Sequence, residues 1–141
     1  MLTQILLGLF MTALTIALGS IAIVIGAEPL RRNEDRLIRE NHLFHQIMAV
    51  TLVASALVFA MLIITLLWAL LLLVIGVFET FEPALYFSMI SFTTLGFGDI
   101  ILPTQWRLLS GFIAMDGFFL FGLNTAFVFE VLRRLRDTSH R

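Results

Sequence analysis

The sequence contains no cysteine and no lysine, and it is poor in charge of either sign. Without cysteine it can form neither a disulfide framework nor a thiolate metal site. Charged residues make up 13% of the chain, about half the roughly 25% that is usual in soluble domains. A net charge of −1 gives no sign of a nucleic-acid partner. No nucleophile–base pair, phosphate-binding loop or metal cluster is evident either, so we expect no enzymatic activity and no cofactor.

Hydrophobic residues are abundant instead, at 60% of the chain, and the mean hydropathy is +1.00. A helix needs about 20 apolar residues to cross a bilayer, and three stretches are long enough. The first has no basic residue before its apolar run, and that run is too long for a cleavable signal peptide. We therefore predict an all-α membrane protein with spans at about 4–27, 46–78 and 107–132, the last interrupted midway only by Asp116.

Arginine placement predicts the orientation. The linker 28–45 and the tail 133–141 each hold four of the nine arginines. The ninth, Arg107, lies where the connector between the second and third spans ends. Because cytoplasmic segments carry the excess of positive charge, both arginine-rich segments are expected in the cytoplasm and the N-terminus outside. Apolar residues in 28–45 recur at loosely helical spacing, which also allows a short interfacial helix there.

The connector between the second and third spans is too apolar for an ordinary external loop. Pro83 suits the first position of a helix, and a helix over 83–93 would be about 16 Å long, half a bilayer. The polar stretch SFTTLGFGDI follows at that depth. Irregular backbone survives there only when it is buried in protein or lines a watery cavity, so the connector is predicted to be a re-entrant pore loop.

Glycines at alternate positions, Gly96 and Gly98, allow backbone conformations closed to other residues. A strand containing them can point successive carbonyl groups the same way, and several copies around an axis would form rings of oxygen atoms. Such rings replace the hydration shell of a cation. The carbonyl end of the preceding helix carries partial negative charge and favours a cation at the same place.

The segment ALYFSMISFTTLGFGD resembles the pore helix and selectivity filter of tetrameric pore-loop potassium channels, whose usual filter reads T-V-G-Y-G-D. With its flanking spans, the resemblance covers about residues 46–132. It implies a homotetramer that conducts K⁺ passively, with 46–78 as the outer helix and 107–132 as the inner helix. It assigns the filter segment, 94–98, to Thr94, Leu95, Gly96, Phe97 and Gly98, with K⁺ bound at the first four and Asp99 at the filter mouth.

Several residues depart from the family pattern. Leu95 and Phe97 replace the usual valine and tyrosine of the filter, which removes no backbone ligand but loses the hydroxyl group that braces the filter from behind. Tyr86 and Phe87 stand in place of the usual tryptophan pair. Ile90 occupies a position where some relatives place a glutamate that pairs with the filter aspartate, so Asp99 is expected to find another partner or to stay in water.

Three residues of the predicted inner helix are candidates for a function. Gly117 lies near the usual hinge position of the family and is the candidate hinge, although close packing is the commoner role for a glycine in a span. A carboxyl group at membrane depth is functional by default, so Asp116 is predicted to face the water-filled cavity, with Asn124 on the same polar face. The alternative is an Asp116 that is hydrogen-bonded between helices, to Thr51, Ser55 or Ser110.

Two other functions stay open on the sequence: a cation channel that does not select K⁺ over Na⁺, and a non-conducting auxiliary or structural subunit. The span at 4–27 is additional to the two-helix module and is expected to pack at its periphery. The lipid bilayer, further copies of the chain and K⁺ are the expected partners. Small size suggests a bacterial inner membrane.

Overall fold

The computed structural model describes residues 1–32 and 43–138, and all regular structure in these ranges is helical. Three of the helices are long and apolar enough to cross a membrane, over Leu2–Gly26, Ile47–Val74 and Leu108–Arg134. The prediction of an all-α membrane protein with three spans is confirmed. The possible interfacial helix in 28–45 falls largely on residues outside the described ranges. In chain order the helices are α1 (Leu2–Arg32), α2 (Leu43–Val74), α3 (Phe81–Phe92) and α4 (Leu108–Thr138).

Helix α2 ends at Val74, four residues before the predicted end of the second span. Gly76 has a φ of 71°, a left-handed conformation that costs glycine little. Its N–H donates to the carbonyl of Leu73 at 2.9 Å, and the N–H of Val77 donates to the carbonyl of Leu72 at 3.0 Å. These paired bonds are a Schellman motif, which satisfies the last carbonyl groups of the helix. The glycine therefore stops α2 although the apolar run continues beyond it.

Helix α3 is too short to span a bilayer, at 12 residues or about 18 Å. It begins at Phe81, so Pro83 is its third residue and not its first as predicted. The first-turn N–H groups have no partner within a helix, and proline is tolerated there for that reason. Glu82 lies in the same turn, where its negative charge complements the positive end of the helix.

Helix α4 begins at Leu108 and runs to Thr138, six residues past the predicted end of the third span. Its N-terminus is capped from α1, because the N–H of Leu108 donates to Oε1 of Gln4 at 3.1 Å. The Gln4 side chain is buried. Near the other end, Nε of Arg134 lies 2.8 Å from Oε1 of Glu130, an exposed pair one helical turn apart.

All four helices contribute to one apolar core. Helix α1 packs against both α2 and α4, and several of its large apolar side chains stay exposed. Its place at the periphery of the two-helix module stays a prediction. The helix supplies buried Met11 to the core, and two of its glycines, Gly8 and Gly19, face Phe112 and Leu120 of α4. The largest fully buried core side chains are Trp68, Leu72, Leu109, Ile113 and Leu120.

Helix α4 comes close to the end of α3 at Gly117. A Cβ atom at this position would overlap the backbone carbonyl of Phe92, the last residue of α3. A backbone group cannot move aside as a flexible side chain can. The glycine therefore has a packing reason to be there, and its role as a hinge stays a prediction.

The change Gly117→Ala separates these two roles. An added methyl group that meets backbone costs about 1–3 kcal/mol of unfolding free energy, so we expect a lower midpoint of thermal unfolding in detergent micelles. Gly122→Ala is the matched control, because a Cβ there meets nothing within 4 Å and alanine is the better helix former by about 1 kcal/mol. A Gly117→Ala protein as stable as the control would show that the contact with Phe92 does not matter and would favour the hinge.

Candidate functional site

The segment that follows α3 is open in the single chain. Every residue from 93 to 99 is exposed, including the apolar side chains of Leu95 and Phe97 at 57% and 66%. By contrast, α3 buries Ala84, Phe87, Ser88, Ile90, Ser91 and Phe92. A half-buried short helix thus holds an exposed loop between the second and third spans.

The N–H groups at the start of the loop turn back onto α3. Thr94 donates to the carbonyl of Ser91 at 2.9 Å, and both Leu95 and Gly96 donate to the carbonyl of Ile90, at 2.9 and 3.1 Å. All peptide bonds described here are trans, and in a trans peptide the C=O points opposite to the N–H that follows it. The carbonyl groups of Thr93, Thr94 and Leu95 therefore point away from the end of α3.

The sign of φ alternates along the loop residues 94–98. Thr94, Gly96 and Gly98 have φ values of 59°, 51° and 79°, and Thr94 is the one non-glycine residue with positive φ in the described ranges. A β-branched residue in this region is an outlier, and such strain persists only where the surroundings impose it, often at functional sites. The sequence predicts an unusual conformation at the two glycines, but it does not predict the positive φ of Thr94.

Asp99 has a hydrogen-bond partner at the mouth of the loop. The hydroxyl group of Tyr86 donates to its Oδ2 at 2.7 Å. The hydrogen bond to this carboxylate, with its negative charge, raises the pKa of the exposed Tyr86 hydroxyl above its usual 10.0. Tyr86 therefore ties the end of the loop to α3 across 13 residues of chain.

Asp116 does not face a cavity, and that prediction is wrong. The residue is 1% exposed within the single chain, because it lies between helices. Its Oδ2 accepts hydrogen bonds from the hydroxyl of Thr15 in α1 at 2.6 Å and from Nε1 of Trp68 in α2 at 3.0 Å. The alternative of an interhelical carboxyl is therefore correct in kind, but its partners are not Thr51, Ser55 or Ser110.

Asn124 is not among the residues that contact Asp116. It is half-buried and borders an apolar groove between α2 and α4, beside residues such as Leu57 and Val128. Since Asp116 is enclosed by α1 and α2, the two residues do not form the polar face that was predicted for the inner helix.

The sequence predicted no role for Gln4, Thr15 or Trp68, which tie α4 to the other two spans. A signal was present, because polar side chains in membrane spans are usually hydrogen-bonded across helices. Gln4 and Thr15 lie in an otherwise oily stretch. Which helix each would meet depends on packing, and the sequence alone does not contain that.

Comparison with models of protein families identifies a family that has this architecture. Residues 47–134 match the model of a family described as ion channel. The match begins near the start of α2 and ends within α4, so it includes α3 and the loop, and it covers well over half of the chain. No curated protein and no solved structure matches in the corresponding comparisons. The helix α1 lies outside the matched range, whereas the described pore-loop architecture lies within it. The chain belongs to the ion channel family.

Proposed function

We propose that the protein is a K⁺-selective channel, in which four copies surround one conduction path and each gives one quarter of the filter. The observation that carries the proposal is the direction of the backbone at 93–96, where N–H groups face α3 and carbonyl groups face away from it. Backbone carbonyl oxygens are the ligands that replace the hydration shell of K⁺ in channels of this type. Thr94, Leu95, Gly96 and Phe97 would hold the ion, and Gly98 would complete the filter segment.

The exposure of this segment in the single chain supports assembly. Irregular backbone at membrane depth must be enclosed by protein or line a watery cavity, and the described chain does not enclose residues 93–99. Further copies around an axis would cover Leu95 and Phe97 from behind and leave the carbonyl groups toward the ion. Tyr86 would brace the mouth through Asp99 in place of the hydroxyl that Phe97 lacks.

The orientation proposed from arginine placement puts the filter mouth outside. Asp99 would then face the external solution, and the arginine-rich tail the cytoplasm. A bacterial inner membrane is the proposed location.

Passive K⁺ efflux from liposomes that hold only this protein is the direct test. We expect efflux, with reversal potentials in mixed solutions that follow K⁺ and not Na⁺. Equal permeability to both ions would favour the non-selective cation channel, and no flux from correctly inserted protein would favour the auxiliary subunit.

Gly96→Ala tests the filter assignment. The left-handed conformation at this position costs a residue with a Cβ about 1–2 kcal/mol, while the space around a Cβ is open in the single chain. We therefore expect inserted protein that has lost K⁺ current or its selectivity over Na⁺. Phe97→Tyr is the control and is expected to conduct normally, because it restores the commoner filter residue of the family. Normal current and selectivity in Gly96→Ala would show that 94–98 is not the filter.

The bond between Tyr86 and Asp99 is accessible to spectroscopy, because Tyr86 is the single tyrosine of the chain. Only the protonated hydroxyl can donate. The pKa of Tyr86 is raised in the folded protein, so the contribution of the bond is complete below the ordinary tyrosine pKa of about 10 and is lost as the pH rises through the raised value. We expect the tyrosinate absorbance to appear above pH 10, and at lower pH in Asp99→Asn. Identical titration curves would mean that the bond does not form.

Single cysteines test the orientation, since the chain has none of its own. Asp35→Cys should react with a membrane-impermeant reagent only from the cytoplasmic side, and Thr80→Cys only from outside. Labelling in the reverse sense would invert the proposed topology.

A further inference from the structure

Three side chains from three different helices meet at Asp116. Its carboxyl Oδ2 accepts from Thr15 in α1 and from Trp68 in α2, and all three residues are at most 1% exposed. The other carboxyl oxygen, Oδ1, is buried and has no hydrogen-bond partner among the residues that the structure describes. We call these three residues the interhelical cluster.

The cluster gives α4 a fixed position relative to α1. Thr15 also lies 3.0 Å from the carbonyl oxygen of Thr12, one turn back in its own helix. Nearer the N-terminus of α1, Oε1 of Gln4 accepts a hydrogen bond from the N–H of Leu108, the first residue of α4. Hydrogen bonds are directional and short-ranged, so two of them at separate heights restrict both sliding and rotation of α4 against α1. Apolar contacts alone would restrict these motions less.

The interhelical cluster is connected to the filter segment through Gly117 and the end of α3. Gly117 follows Asp116 directly and lies against the carbonyl of Phe92 at the end of α3. The neighbouring carbonyl groups of Ile90 and Ser91 accept the N–H groups of Leu95, Gly96 and Thr94. A rotation of α4 at Asp116 would move Gly117 and bring a side chain against this backbone, because only glycine fits at the contact.

We propose that Asp116, with Thr15 and Trp68, is a positioning site for the filter. The cluster holds α4 so that Gly117 stays against the end of α3, and the end of α3 in turn holds the N–H groups that orient the first filter carbonyls. The helix α1, which lies outside the range matched by the ion channel family, thereby becomes part of the conduction machinery. The effect on selectivity depends on the proposed K⁺ conduction, but the effect on filter order does not.

Thr15→Val is the informative change, because it removes the hydroxyl group and keeps the shape of the side chain. Thr15→Ser keeps the hydroxyl and is the rescue variant. Thr65→Val is the matched control, since Thr65 is also buried in a span but bonds only to the carbonyl of Met61 in its own helix. Trp68→Phe removes the second donor to Asp116 and replaces Thr15→Val should the latter not insert.

The readout is amide hydrogen exchange of peptides that cover 93–96, measured by mass spectrometry on protein in lipid nanodiscs. We expect about tenfold faster exchange in Thr15→Val and in Trp68→Phe, the factor that corresponds to one lost hydrogen bond. Thr15→Ser and Thr65→Val should exchange at the wild-type rate. Where K⁺ current is measurable, the same two cluster variants should lose selectivity over Na⁺.

Faster exchange confined to α1 and α4, with 93–96 at the wild-type rate, would overturn the proposal and leave the cluster a local contact between helices. Equal acceleration in Thr65→Val would overturn it too, since any buried threonine would then have the same effect. A wild-type protein that does not conduct K⁺ would contradict the proposed function alone, because the exchange comparison does not require current.

Discussion

The contact between Gly117 and the carbonyl of Phe92 is the constraint on which the pore region depends. It brings the backbone of a spanning helix against the C-terminal end of a helix too short to span, at the place where regular structure stops. The N–H groups of the loop then find acceptors on α3 within three to six residues, so that these donors are satisfied without water. The carbonyl groups of the same peptides point away from α3, because each trans peptide directs its two polar groups oppositely.

The energetics of the interhelical cluster favour a role in positioning α4 over a role in stabilising the fold. A carboxyl group at the centre of a bilayer costs about 2.5–3.5 kcal/mol on insertion scales, and each of its two hydrogen bonds returns about 1 kcal/mol. An apolar triad of similar volume would hold the three helices at least as firmly. Apolar packing, however, tolerates rotation and sliding of one helix against another, whereas a bond of 2.6 Å between Thr15 and Asp116 does not.

The three spanning helices could be predicted from the sequence because a helix needs a minimum length of apolar residues to cross a bilayer. The loop could be predicted because polar residues and irregular backbone are costly at membrane depth unless protein or water surrounds them. Sequence reasoning placed the end of the second span too late, since hydropathy ignores the left-handed turn that Gly76 makes possible. It also placed Asp116 in the cavity. Membrane depth identifies a carboxyl group as important, but the direction in which it faces depends on the rotation of α4 against α1 and α2, which long-range packing sets.

The packing of α1 against α4 also involves polar groups. A helix at the periphery of the module could contact it through apolar side chains alone, but Gln4 and Thr15 are both buried and both hydrogen-bonded to α4. A helix that only shielded the module from lipid would gain nothing from these groups and would carry the cost of their desolvation. Their presence at two heights along one helix face is accounted for if α1 sets the position of α4, and through Gly117 the position of the loop that follows α3.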